Sequence, residues 1–474
     1  MSPPFSSLVL GGVTCLLYYR LIAHQQGCEP PPNFRYKDPI FGLDCALGTQ
    51  FGIPSIARHH SRYGKTFASK FILDAQINTC DPQNIKAIIG GNKEWGVAPL
   101  RLPGMDLFCG EGTITSDGPA WEHSRGLFKN MFRTSNIVHF PILNLATNEL
   151  FSHIPIDGST FIHTATQFLL GFNSLSRSGD PQNSRMYGDI GSFVRDFHDA
   201  MFYCGLRIIL GRLRILVPRM KVEKAFKSSH EFLDFHINEA FSEKISTASA
   251  DDGSLVQGLI RQTDDRIDVR NQTIQNLMAA SDTISILLSN TIFLLSRNPE
   301  IWKELRREII STIPQAPTVE SLNSPGLLRN VLFEALRLYP VFPLLGRTSL
   351  VDTKLPTGGG PSGNSPIFVP AGTRADTCFY ALFRDEAIFG PNADEFNPKR
   401  WDTIKPDSWI FMPFGRGPRS CMGKEKAMLE ASYVMVRIAR KFERIESRDD
   451  RDYRAEMKLT CRNGNGCKVA LFEK

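Results

Sequence analysis

The stretch Phe414-Gly-Arg-Gly-Pro-Arg-Ser-Cys-Met-Gly423 concentrates residues able to do chemistry. One cysteine, Cys421, stands with Arg416 and Arg419 among Gly415, Gly417, Pro418 and Gly423. Glycine lets a backbone approach a flat ligand closely. Directly afterwards, Lys424 to Phe442 carries a helical apolar pattern through Ala427, Ala431, Val434, Ile438 and Phe442. Cys421 therefore lies at or just before a helix N-terminus, where backbone N–H groups and the positive dipole end favour a thiolate. Such a thiolate is a nucleophile or a metal ligand. The arginines suit the acidic edges of a cofactor.

Three further groups need positioning elements. Asn271 to Ser296 contains no Pro or Gly and predicts one long helix, with an apolar stripe that includes Ile274, Leu277, Ile284 and Leu288. Its centre, Ala279-Ala-Ser-Asp-Thr-Ile284, holds Asp282 and Thr283, both poor helix formers. A carboxylate in an apolar helix needs a partner or a use. A second helix is expected from a Ser324-Pro325 cap to Leu338, with Glu334 and Arg337 on one face and Pro340 ending it. In a third, Asp117 and Gly118 suit the cap and Pro119 the first turn, which puts Trp121 and Arg125 on one face.

The remaining chain is coarser. Phe67 to Ile77 suggests paired strands and Asp81 to Ile89 a short helix. Residues 139–260 are mostly helical by pattern, broken at Gly158, Gly179 to Pro181 and Pro218. Thr357 to Pro366 is Gly/Pro/Ser-rich and predicts a surface loop. Its literal G-x-G-x-x-G, Gly358 to Gly363, opens no helix and is a chance match. Short β pieces follow at Ile367 to Val369 and Thr373 to Tyr380. Met457 to Phe472 predicts a hairpin around Asn463-Gly464-Asn465-Gly466.

A chain of 474 residues, 42% hydrophobic, can build a large core. No repeat or long low-complexity stretch divides it. A net charge of +6 makes no case for nucleic acid and suits an acidic protein partner or an anionic bilayer. The ten cysteines are scattered without C-x-x-C, so zinc sites and a disulfide framework are poor readings. Phe5 to Tyr19 is apolar, though shorter than the roughly 20 residues of a full span. Arg20, Arg35 and Lys37 follow it, which predicts a cytoplasmic remainder. The expected organisation is an anchor over residues 1–24, a Pro-rich linker over 25–48 and a single domain over 49–474.

The motif F-x-x-G-x-R-x-C-x-G at Phe414 to Gly423 resembles the haem-binding loop of the cytochrome P-450 monooxygenases. Glu334-x-x-Arg337 resembles that family's K-helix pair, and Phe396-Asn-Pro-Lys-Arg-Trp401 the segment whose arginine, Arg400, completes a triad. Ala279 to Ile284 resembles the oxygen-activating part of its I helix, and Trp121-x-x-x-Arg125 its C-helix motif. Gly27-Cys-Glu-Pro-Pro-Pro32, Asp38 to Asp44, Thr115 to Gly118 with Trp121 to Arg125, Leu355 to Pro361 and Leu429 to Val434 are similar to the fungal branch that hydroxylates n-alkanes and fatty acids. Relatives in filamentous fungi also tailor secondary metabolites, including long polyketides.

The resemblance implies a mainly α fold with small antiparallel sheets. A long central I helix would cross the haem, and the cysteine loop would precede the L helix. It implies Cys421 as axial ligand of haem b, and Trp121, Arg125, Arg347 and Arg419 at the propionates. Phe414 would shield the sulfur, with Gly423 closing the loop. Asp282 and Thr283 would relay protons, and Glu334, Arg337 and Arg400 would form a structural triad. Ala279, Leu344 and Leu345 would touch substrate. O2 would be co-substrate, with NADPH electrons from a separate NADPH–cytochrome P-450 reductase. The expected location is the endoplasmic reticulum membrane, in contact with lipid and facing the cytoplasm. The substrate would be a fatty acid, an alkane or a polyketide-like molecule. Ala280 stands where the family usually has Gly, Ile284 where it has a second hydroxyl, and Phe383 where relatives often have His. Residues 151–175 look compressed. These departures keep a different class open, a haem-binding pseudoenzyme or haem sensor without turnover.

Overall fold

The computed structural model describes residues 21–38, 53–71, 74–91, 93–129, 132, 140–154, 161–162, 190–246, 255–324 and 326–473. The apolar Phe5 to Tyr19, most of the compressed stretch and the breaks at Gly158 and Gly179 to Pro181 lie outside the described residues.

In chain order the first elements are α1 (Ile53–Tyr63), β1 (Thr66–Phe71), β2 (Asp74–Thr79), α2 (Pro82–Ile89), β3 (Trp95–Gly96), α3 (Ala98–Cys109), α4 (Gly118–Lys129) and α5 (Phe140–Ser152). Next come β4 (Phe161–Ile162), α6 (Ile190–Leu210), α7 (Arg219–Ser246), α8 (Leu255–Ile260), α9 (Arg266–Ser296), α10 (Pro299–Thr312), α11 (Val319–Asn323) and α12 (Leu327–Leu338). The chain ends with β5 (Leu344–Ser349), β6 (Thr353–Gly359), β7 (Ser365–Val369), β8 (Arg374–Cys378), α13 (Phe379–Leu382), α14 (Glu386–Phe389), α15 (Arg400–Thr403), α16 (Lys424–Lys441), β9 (Phe442–Ser447), β10 (Ala455–Met457), β11 (Cys461–Asn463) and β12 (Lys468–Glu473).

Two compact units result. One comprises Met1–Leu100, Pro343–Ile388 and Pro406–Ser420. It holds a five-stranded sheet of order β1-β2-β8-β5-β3, antiparallel except for the parallel β2–β8 junction. It also holds the β6–β7 hairpin. That hairpin narrows the expected surface loop to its tip at residues 360–364: Gly358 and Gly359 are strand residues and buried. Gly358 sits at φ 103°, and a Cβ there would come within 2.5 Å of Thr66, so only glycine lets the strand lie this close to β1.

The other unit comprises Arg101–Phe342, Phe389–Lys405 and Cys421–Lys474, and most of the helices. Its core joins α3, α4, α6, α7 and α9 through Phe108, Phe128, Phe197, Leu233, Ile274 and Leu277. Helix α9 begins earlier than the apolar stripe because Asp265 caps it, accepting from the N–H groups of Ile267 and Asp268 at 2.9 and 3.1 Å. α9 is long and apolar enough to cross a membrane, yet 76% of its most apolar window is buried, as in a core helix.

Two sequence expectations fail here. The cap of α12 is not Ser324-Pro325. Glu308 of α10 reaches across instead, accepting from Leu327 N–H at 3.0 Å and Leu328 N–H at 3.3 Å. The C-terminal hairpin is also shifted. β10 pairs with β11 around residues 458–460, while β12 pairs with β9 and β4, because its apolar residues Val469, Ala470 and Leu471 are buried there.

Candidate functional site

In the first unit, the glycine loop is shaped by Gly415 and Gly417, at φ 68° and 77°. A Cβ on Gly417 would lie 2.5 Å from Ile89 O, so the loop packs against the end of α2 only with glycine there. Ser420 N–H donates to Gly417 O at 3.0 Å and Gly415 N–H to Met412 O at 2.9 Å. Phe414 and Arg419 are half-buried. Arg347 is buried in β5, donating to Gly346 O at 2.9 Å, with Leu344 and Leu345 half-buried on the same strand.

In the second unit, Cys421 ends the loop just before Gly423, the residue from which α16 starts. Cys421 is exposed, whereas every other described cysteine is buried. Burial pushes the Cys378, Cys204 and Cys467 thiols up to about 12. Cys421 also rises, because protein packs behind its open face. The Gly423 N–H and the charges of Arg125 and Lys424 pull the other way. Burial thus opposes loss of the thiol proton, while the Gly423 N–H and the neighbouring cations favour it. A cation on the sulfur would displace that proton.

Trp121 and Arg125 meet on α4 as the spacing predicts, with the guanidinium over the indole at 5.5 Å from the ring centroid. Burial lowers the Arg125 pKa and the Cys421 charge raises it, so the two side chains share one electrostatic neighbourhood. Among the described residues no cluster of His, Cys, Asp and Glu could hold a bare metal ion. A haem brings its other ligands with it and needs a single protein sulfur. One reachable sulfur beside a partly desolvated guanidinium fits an anionic metallocofactor.

Glu334 is fully buried and receives donors from three directions. Arg337 Nε and Nη2 reach it at 3.0 and 2.8 Å, and Arg400 Nε at 2.8 Å. Asn397 N–H and Trp401 Nε1 add bonds at 3.1 and 3.0 Å. The arginines also donate to the carbonyls of Ala393, Glu395, Phe389 and Asn392, tying down the segment that leads into α15. Trp401 lies within the Phe396 to Trp401 motif, but its bond to Glu334 has no signature in local spacing.

On α9, Thr283 Oγ1 donates to Ala279 O at 2.8 Å, closing on its own turn. Asp282 accepts from Thr460 Oγ1, which stands in the turn before β11. Ala279 is exposed, Ala280 half-buried and Ile284 buried. Thr460 was not foreseen: no pattern links residues so far apart in the chain. Phe383 is buried, stacked on Phe379 at 5.7 Å.

A family model for cytochrome P-450 matches residues 31–465. The chain is 31% identical over 504 residues to the cytochrome P-450 monooxygenase himC of Aspergillus japonicus, covering 98% of this chain and 90% of that protein. It is 32% identical over 433 residues to cytochrome P-450 52A13 of Debaryomyces hansenii, covering 86% and 83%. The crystal structure of a cytochrome P-450DA heme domain superposes with a TM-score of 0.77 at 22% identity, covering 94% of this chain and 98% of that one, a likeness of fold. With a reachable cysteine in the signature loop and the fold in agreement, this chain belongs to the cytochrome P-450 family, as a monooxygenase.

Proposed function

We propose that the chain binds haem b through Cys421 and inserts one atom of O2 into a C–H bond of a long-chain apolar molecule. NADPH electrons would arrive through a separate NADPH–cytochrome P-450 reductase. The exposed Cys421 at the start of α16 carries this reading. When bound, the haem supplies dioxygen activation, which a thiolate ligand promotes by electron donation.

The chain's own residues hold and feed that group. Arg125, Arg347 and Arg419 would pair with its carboxylates, with Trp121 alongside. Phe414 would keep water from the sulfur and the Gly423 N–H would steady it. Glu334, Arg337 and Arg400 would fix the approach to the loop from behind. Asp282 would take a proton from solvent and pass it to Thr283 Oγ1, whose hydroxyl leaves Ala279 O to donate it onward. Ala279, Leu344 and Leu345 would contact substrate. Residues 49–474 would act as one haem-binding domain, behind an anchor over 1–24 and a linker over 25–48.

The location we propose is the endoplasmic reticulum membrane with a cytoplasmic catalytic domain, and the stretch around the start of α7 supports a membrane-facing surface. Ile215 and Leu216 before α7 and Met220 in its first turn are 83, 69 and 84% exposed, interleaved with Arg212, Arg214 and Lys221. Exposed aliphatic side chains with basic neighbours suit an anionic lipid surface. The substrate is a fatty acid, an alkane or a polyketide-like secondary metabolite. A polyketide synthase encoded next to this chain's gene would favour the last.

The test is the reduced carbon-monoxide spectrum of the purified protein, then product analysis with reductase, NADPH and lauric acid. The parent should show the red-shifted thiolate band, and Cys421→Ser should lose it. A parent without that band refutes the reading. A normal band with no turnover of any chain-like substrate favours the pseudoenzyme or sensor, which the closed Thr283 hydroxyl and the Ala280 and Ile284 departures would also suit.

A further inference from the structure

We propose that Thr460 is a positioning residue for proton delivery, holding the Asp282 carboxylate from a different element. This rests on the relay reading of Asp282 and Thr283 given above.

Four observations support it. Thr460 is buried, and its hydroxyl donates to Asp282 Oδ2. The turn that carries it is itself fixed: Lys458 N–H donates to Thr460 O and Cys461 N–H to Val341 O, both at 2.9 Å. Thr460 is thus part of a rigid support, and a carboxylate bound to it loses the freedom to rotate about its own side-chain bonds. At the neighbouring position, Thr283 Oγ1 is closed on Ala279 O. The relay is therefore held in a resting arrangement, in which the carboxylate is kept by β11's turn and the hydroxyl by α9's own turn.

The surroundings are charged as well. His198 of α6 feels Asp282, Arg462, Lys458 and Asp199, and burial depresses its pKa. Arg462 is paired with Glu456 at 3.0 Å, and Lys458 stands 5.9 Å from the Phe202 ring. Asp282 thus sits where α6 and the β10–β11 turn bring polar groups to the apolar α9. Thr460 supplies a direct, directional contact.

The experiment uses the full-length holoenzyme with reductase, NADPH and lauric acid. Peroxide released per NADPH oxidised is readable whether or not lauric acid is hydroxylated. Thr460→Val keeps the volume and removes the hydroxyl. It should raise the peroxide yield about ten-fold, as expected of a misplaced catalytic group, and enlarge the solvent isotope effect on NADPH oxidation. Thr460→Ser should restore both. Separately, the melting temperatures of Asp282→Asn, Thr460→Val and the double variant should be non-additive, reporting the bond without turnover. Should Thr460→Val fail to hold haem, Thr460→Cys, a weaker donor of similar size, takes its place.

Parent-like peroxide yield and isotope effect in Thr460→Val overturn the proposal. If Asp282→Asn uncouples while Thr460→Val does not, only this inference falls. If neither uncouples, the relay reading falls with it. A lowered melting temperature with unchanged peroxide yield makes Thr460 merely structural and also overturns it.

Discussion

His60 shows how a single buried ring makes stability depend on pH. It is 6% exposed on α1, its Nε2 has no hydrogen-bond partner, and Phe67 meets it at 5.0 Å. Desolvation lowers its pKa from 6.5 to about 4, against the opposing bonds to the Gly64 and Lys65 backbone. Above pH 6.5 both folded and unfolded chains carry the neutral ring, and nothing is lost. As pH falls from 6.5 to about 4 the unfolded chain takes a proton that the folded one refuses, so stability falls. The loss approaches about 3 kcal/mol. His60→Phe should remove that loss. The check is urea unfolding of parent and variant at about pH 7.5 and about pH 4.5. An identical pH dependence in both would show that His60 is not the sensor. At the same scale, Glu334→Ala leaves Arg337 and Arg400 buried without their carboxylate. The expected cost is about 3–5 kcal/mol, with loss of haem on purification. Pyridine haemochrome content measures it, and a full haem complement would remove the triad from its proposed role.

At the scale of elements, α12 has a start that depends on another helix. Gly326 offers no side-chain cap, and the Glu308 carboxylate of α10 takes two of the orphan N–H groups. Glu308→Ala should cost about 1–2 kcal/mol, the size of a lost N-cap. Glu308→Gln, which keeps one of the two acceptor oxygens, should recover only part of it. Thermal unfolding of the three proteins decides between a cap and a solvated surface charge, for which all three would melt alike. Since α12 carries Glu334 and Arg337, haem retention at elevated temperature should follow the same order.

For the molecule as a whole, the exposed aliphatic segment before α7 predicts membrane attachment beyond the proposed N-terminal anchor. A chain lacking residues 1–24 should still float with vesicles containing about 20% phosphatidylserine, each basic residue near the surface contributing about 1 kcal/mol. Replacing Ile215 and Leu216 with Asp should release it, because both side chains are largely exposed and cannot be structural. Added salt should weaken binding by the parent, as screening acts on Arg212, Arg214 and Lys221. Flotation by the double variant equal to the parent would assign attachment to some other surface.

Chemistry written in adjacent residues was legible from the chain alone. The cysteine loop, the Trp121–Arg125 face, the Glu334–Arg337 face and the uninterrupted α9 each follow from backbone rules acting over one or two turns. Their joint order was enough to indicate the family. Tertiary structure alone decided the pairings made at long separation. Glu308 caps α12, Trp401 bonds Glu334, Thr460 holds Asp282 and β12 leaves the expected hairpin for β9. The surroundings of the Cys421 sulfur belong there too. A helix terminus is a local feature and favours the thiolate, whereas the burial that opposes it comes from packing, which no local pattern encodes.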